Sequence, residues 1–280
     1  MRIPGAILVA FALAAATTAT AAAELGAGDW QPTANSRIRL VPGPAGADGA
    51  RRLGIHIELA EGWHTYWRNP GASGVPPRFD WSASANVADA EVRWPAPKRL
   101  RDEYGVSYGY ETEVVFPVTV RPETAGEAVR VRLALDFAVC AEICIPEFAE
   151  LDLAMPAGGS PRAVFVRLLD AFEARVPLRQ AAAGALRISP PTVETVGEAP
   201  ALAFDVTFVG GAEGAELFVE GPEQFYFVAP DGPEMAGPSK GRFVVRVPGA
   251  DGVKDLAGAR IGATLVTDAG AVEAWWTLDQ

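Results

Sequence analysis

The sequence predicts an all-β chain of two sandwiches, the first larger, joined by a short helical connector. Three observations carry this. The 29 glycines and 23 prolines cut the chain into short apolar runs bounded by turns. Most of those runs alternate apolar and polar residues, the period of a strand with one buried face. A single stretch breaks the alternation with helical spacing. At 280 residues and 49% hydrophobic content, there is enough chain and enough apolar side chain to fill two cores.

The elements follow in order. Met1-Arg2 is a short basic start, "GAILVAFALAAA" an apolar core, and "TATAAAE" a run of small residues suited to cleavage near Ala23. Residues 1–23 therefore read as a secretory signal peptide, and the remaining chain as exported and soluble. That apolar core is too short to cross a bilayer, and no later stretch approaches the roughly 18 to 20 apolar residues a spanning helix needs. In the first domain, residues 24–157, "RIRLV", "RLGIHIELA", "AEVRW", "EVVFPVTV" and "VRVRLALDFAV" read as strands. The last places Val129, Val131, Leu133, Leu135, Phe137 and Val139 on one side, with Arg130, Arg132 and Asp136 on the other.

Residues 158–185 read as connector helix and linker. Ser160 is the expected N-cap and Pro161 the first helical residue, and Phe165, Leu168, Leu169, Phe172 and Val176 recur at helical spacing up to Pro177. Residues 186–280 form the second sandwich, with Leu202, Phe204, Val206 and Phe208 alternating, then "ELFVE", "QFYFV", "RFVVRV", "ATLVT" and "AVEAWWTL". It holds neither cysteine nor histidine, which predicts a binding or spacing role.

A formal charge of −11 argues against a nucleic-acid partner, because such proteins cluster Lys and Arg to neutralise phosphates. The "GASG" and "GGS" runs lack the lysine of a phosphate loop and the pattern of a nucleophile elbow. Carboxylates are too scattered to suggest a glycosidase pair. His56 lies within an alternating strand and reads as a hydrogen-bonded structural residue, and Trp63, Trp67, Trp81 and Trp94 as core.

The chemistry concentrates in "FAVCAEICIPEF", which holds the two cysteines, Cys140 and Cys144. On a straight strand, residues four apart lie about 13 Å apart, beyond disulfide reach. On a helix their Cβ atoms are about 5 to 6 Å apart, still too far. A turn at Ala141-Glu142-Ile143 between two strands brings them together, and Pro146 suits an edge strand. A bridge closing so short a loop adds little chain-entropy stabilisation. The pair thus reads either as a hairpin staple in an oxidising compartment or as a reversible dithiol.

Four stretches favour the second reading: "EGWHTYWRNPGASGVPPRFDW", "RWPAPKRLRDEYGVSYGYETEVVFPV", the cysteine hairpin, and "IPEFAELDLAMP". Together they resemble the N-terminal periplasmic domain of DsbD and of the related ScsB proteins, and the helix and second sandwich resemble the longer ScsB-type region. The resemblance implies an immunoglobulin-like sandwich in the periplasm, and because the sequence departs from the family in showing neither a membrane segment nor a C-terminal thioredoxin domain, the expectation is a stand-alone soluble protein. Its function would be thiol:disulfide interchange of the protein-disulfide reductase type. Electrons would come from a membrane-embedded thiol carrier, DsbD- or CcdA-like, and pass to periplasmic thioredoxin-like proteins.

Carried over, Cys140 and Cys144 are the redox pair, Asp102, Glu103 and Tyr104 fall in the loop that caps it, and His64 and Tyr66 stand where the family has two tyrosines near the site. Many DsbD domains have five residues between the cysteines; here there are three. Glu142, Asp102 and Glu103, if close, would hold the thiol pKa values up, giving a slow nucleophile that a docked partner activates. No cofactor is implied. Two alternatives stand beside this reading. One is copper handling, with Cys140 and Cys144 ligating Cu(I), since ScsB relatives are associated with copper tolerance. The other is a structural adaptor with a staple disulfide.

Overall fold

A computed structural model describes residues 24–279 apart from 47, 72–73, 103–104, 183, 185, 198, 229 and 249–252. The expected signal peptide lies outside the described residues. Among those described, no helix is long and apolar enough to cross a membrane.

The first sandwich faces two sheets. One runs in the order Gln31–Pro32, Ser36–Ala45, Arg51–Leu59, Glu113–Arg121, Asp89–Val92. The other runs Cys144–Met155, Val129–Cys140, His64–Gly71, Gly105–Glu111, Lys98–Asp102, with Arg78–Asp80 also pairing with Val129–Cys140. The alternation expected for Val129–Cys140 is present, with Val131, Leu133, Leu135 and Val139 buried among Ile38, Leu40, Ile55, Val114 and Phe116 from the opposite sheet.

The strand Arg51–Leu59 departs from one-sided burial, because the helix Ala163–Glu173 covers its outer side. Glycine makes this close approach possible. A Cβ on Gly43 would come within 2.5 Å of Leu169, and one on Gly54 within 3.2 Å of the same side chain. Arg52 reaches Asp170 at 3.0 Å and also pairs with Glu173. The helix starts later than the sequence suggests. Ser160–Pro161 forms a short parallel bridge with Glu24–Leu25, and Arg162 takes the N-cap position without a side-chain cap.

The second sandwich has one sheet of Leu178–Arg179, Gly270–Thr277, Arg260–Thr267, Glu216–Glu220. The other is Arg187–Ile188, Ala199–Thr207, Lys240–Arg246, Glu234–Met235, with Thr192–Val196 also on Ala199–Thr207. Leu178–Arg179, expected as linker, thus already contributes to this sheet. The stretch "QFYFV" is not a strand. It follows Pro222, and Phe227 turns into the core, leaving only an isolated bridge from Val228 to Arg246.

The two sandwiches share a packed interface. Phe218 belongs to the core of the first, its ring 4.9 Å from Tyr108 and 5.9 Å from Trp67. Next to Trp67, Arg68 reaches Glu220 at 2.8 Å and Glu273 at 2.9 Å, and the Asn69 side chain donates to the Val219 carbonyl at 2.9 Å. The two carboxylates outweigh burial and raise the Arg68 pKa above its ordinary value, so this cation stays charged inside the interface.

Candidate functional site

The cysteine hairpin is built as its spacing requires. Val129–Cys140 and Cys144–Met155 pair antiparallel from Val129↔Met155 to Cys140↔Cys144, with Ala141, Glu142 and Ile143 as the turn. The two cysteines are bonded to each other, with their Cα atoms 4.1 Å apart. Their environments differ sharply: Cys140 is 2% exposed, whereas Cys144 is exposed.

The asymmetry comes from the neighbouring strand. His64 pairs with Cys140 and Thr65 with Val139, and the Thr65 hydroxyl donates to the Ala138 carbonyl at 2.9 Å. This register sets Tyr66 beside the disulfide, its hydroxyl oxygen 2.6 Å from Cys140 Sγ and 3.2 Å from Cys144 Sγ. Tyr66, Ala138 and Cys140 form a small buried cluster of their own. Two glycines make room for the ring and its strand. Gly109, paired with Tyr66, lies where a Cβ would come within 2.0 Å of the Thr65 carbonyl, and a Cβ on Gly74 would come within 2.6 Å of the Tyr66 ring. His64, two residues before Tyr66 on the same strand face, meets its ring edge-on at 5.3 Å.

The structure therefore brings together Cys140, Cys144, Tyr66 and His64. The expected capping segment is reached by the hairpin Lys98–Asp102 and Gly105–Glu111, where Asp102 pairs with Gly105. Gly109 pairs with Tyr66 and Ser107 with Gly71, so this hairpin leads along the strand past Gly71. Glu103 and Tyr104 lie outside the described residues, as does the side chain of Asp102. The strand Lys98–Asp102 of this hairpin is held along its length by the second sandwich, with Arg99 3.1 Å from Glu216 and Arg101 paired with Asp231.

Two residues of the site were not singled out in the sequence. Along Cys144–Met155 the inward positions are Ala149, Leu151, Leu153 and Met155, and by the same alternation Glu147 points inward and Phe148 outward. Glu147 is satisfied there by the Thr33 hydroxyl at 2.6 Å, the Ser36 hydroxyl at 2.7 Å and the Asn35 amide at 3.3 Å, which ties the hairpin stem to the opposite sheet. Phe148 is 53% exposed and Ile143, in the turn, 65%, so two apolar side chains stand in solvent on either side of the exposed sulfur in sequence. A carboxylate and a phenylalanine exchanged relative to the alternation was the available signal.

His56 lies away from this site and is structural. It is 2% exposed, hydrogen-bonded to Glu113 at 2.7 Å and to Arg39 at 3.3 Å. Burial, partly offset by Glu113, lowers its pKa below the usual histidine value. Below about pH 6.5 the unfolded chain takes up a proton that the folded one does not, so His56 costs stability as pH falls through that value and ceases to change below its folded pKa. The urea midpoint of the wild type relative to His56→Gln should therefore drop between pH 8 and pH 5; a constant difference would contradict the assignment.

Residues 37–156 match the sequence profile of the family described as "Thiol:disulfide interchange protein DsbD, N-terminal". No curated protein sequence matches the chain. Among solved structures, the N-terminal periplasmic domain of ScsB from Proteus mirabilis superposes with a TM-score of 0.71 at 21% identity, over 91% of this chain and 99% of that one. The likeness extends across both sandwiches, while the profile match is confined to the first, where the cysteine hairpin lies. The first sandwich is a thiol:disulfide interchange domain of the DsbD N-terminal type.

Proposed function

We propose that this protein relays reducing equivalents in the periplasm, accepting two electrons from a membrane-embedded dithiol carrier and passing them to thioredoxin-like proteins through Cys140 and Cys144. The observation that carries the reading is the unequal burial of the two sulfurs, with a hydroxyl in contact with the buried one. A staple has no need of that inequality. An exchange pair does, because it fixes which sulfur a partner meets first.

The order of steps follows. A donor thiolate attacks Cys144 Sγ, the Cys140–Cys144 bond breaks, and Cys140 leaves as a thiolate facing the Tyr66 hydroxyl, 2.6 Å away in the oxidised form. A hydrogen bond from that hydroxyl stabilises the leaving charge. The donor's second thiol then attacks its own sulfur in the mixed disulfide and releases Cys144. Two electrons and two protons have entered. In the second half, the Cys144 thiolate attacks a partner disulfide, and Cys140 attacks Cys144 Sγ to restore the internal bond and release the reduced partner. Asp102, Glu103 and Tyr104 belong to this reading through their resemblance to the family's capping loop, and His64 through its edge-on contact with the Tyr66 ring.

The test is stoichiometric. Mixing reduced protein with an oxidised thioredoxin-like periplasmic protein, then alkylating free thiols, should show two thiols lost from this chain and two gained by the partner; no transfer would reject the relay. Tyr66→Phe should slow reduction of the disulfide by roughly tenfold or more, the weight of one hydrogen bond to a charged sulfur. An unchanged rate would remove the hydroxyl from the mechanism. Ile143→Asp should slow exchange with a protein partner by roughly tenfold while leaving exchange with dithiothreitol unchanged, as a docking contact would. Equal slowing of both would show that the turn acts on the sulfurs and not on docking.

A further inference from the structure

The second sandwich carries a cavity of about 580 Å³ that the exchange chemistry does not use, lined by Arg179, Arg187, Arg260, Trp275 and Trp276. Arginines elsewhere in the chain are mostly committed: Arg130 and Arg132 share Asp152, Arg242 takes Glu194 and Asp205, and Arg68 takes Glu220 and Glu273. Arg179, Arg187 and Arg260 make no ion pair among the described residues, and Glu273, which also lines the cavity, is engaged by Arg68. In a chain of net charge −11, three uncommitted guanidinium groups around one concavity form a local inversion of sign. Their mutual repulsion falls when an anion enters.

A strand edge lies in the same place. Gly270–Thr277 pairs along its whole length with Arg260–Thr267 on one side, but on the other only Val272 and Glu273 are paired, with Leu178–Arg179. There the chain turns into the short helix Gln180–Ala182, which with Arg187–Ile188 borders the strand, and among the described residues no strand pairs with Ala274–Thr277 on that side. An edge left open this way is a template for another strand unless charge or bulk discourages it. Here the charge is positive, which discourages basic segments and admits acidic ones. Trp275, 42% exposed, adds a firm apolar platform: its ring packs over Gly262, where a Cβ would come within 2.7 Å, and the Arg260 guanidinium lies 4.9 Å from its centre.

We infer that the Ala274–Thr277 edge binds an extended acidic segment of a partner protein by strand addition, with its carboxylates on Arg179, Arg187 and Arg260 and an apolar side chain over Trp275. Backbone pairing supplies affinity, and the guanidinium groups choose the charge pattern. The site is independent of the cysteine pair, so it tethers a partner without taking part in exchange.

The probe is a synthetic peptide of about ten residues repeating Glu-Glu-Val-Val, which puts both carboxylates and valines on each strand face, titrated calorimetrically into the full chain. Saturable binding at one site is expected, weakening with added salt and by about tenfold or more in the triple variant Arg179→Gln, Arg187→Gln, Arg260→Gln. A proline in the middle of the peptide, which removes a ladder donor, should abolish binding. The triple Arg→Glu variant should reverse the preference and take the lysine–valine peptide, which guards against simple misfolding of the variants. Absence of binding to the wild type, unchanged binding by the Gln variant, or equal binding of the lysine peptide would overturn the inference. So would tighter binding of an oligonucleotide of equal charge, which would make the cavity a general polyanion site.

Discussion

A Cys140→Ser protein should accumulate as a stable mixed disulfide with a thioredoxin-like partner, while Cys144→Ser forms almost none. The partner for this experiment keeps one cysteine, activated as its thionitrobenzoate disulfide, so that each attack releases a coloured thiol. Cys144 is exposed and Cys140 is 2% exposed against Tyr66, so only Cys144 can reach a sulfur on another protein. With Cys140 replaced, nothing remains to attack Cys144 Sγ and release the partner. With Cys144 replaced, the remaining thiol is shielded, and the rate should fall on the order of a hundredfold or more. Wild-type protein should release the partner after transient linkage. Equal rates for the two variants would mean that the burial difference has no part in the exchange. The fold should survive both changes, because a bridge closing so short a loop removes little entropy from the unfolded chain.

Phe218→Ala should lower stability by about 3 to 5 kcal/mol, the usual cost of emptying a buried aromatic site. Phe218 is fully buried, and its partners are Trp67 and Tyr108, both from the first sandwich. The loss should be felt in both halves. A single cooperative urea transition in the wild type should separate into two, with the second sandwich and the strand Lys98–Asp102 loosening together. Hydrogen exchange at Trp67 and Arg68, which flank that contact, should rise with it. A loss below about 1 kcal/mol would show that the sandwiches rest against each other without a shared core.

Much of this fold was legible because its signals are local. A period of two defines strands from any short window, and the hairpin at Ala141–Ile143 follows from a spacing that neither a straight strand nor a helix can close. The placement of Tyr66 and His64 beside the pair came from the family resemblance, since a contact between residues 66 and 140 leaves no local trace. What was not legible is the use of outer faces. In Glu216–Glu220, Leu217 and Val219 fill the second core as the alternation says, but Phe218 and Glu220, on the nominal solvent side, are buried against the first sandwich. The same holds for Arg51–Leu59, whose outer side is covered by the helix over Gly43 and Gly54. Burial of a second face is decided by elements far away in sequence, and one-sided alternation cannot report it.

The most direct test of the account is the reduction potential of the Cys140–Cys144 bond, measured by equilibrating the protein against glutathione or dithiothreitol and counting thiols. An exchange pair should lie above about −300 mV, within reach of periplasmic dithiols, whereas a potential clearly below that value would mark the bond as a structural staple and contradict the relay.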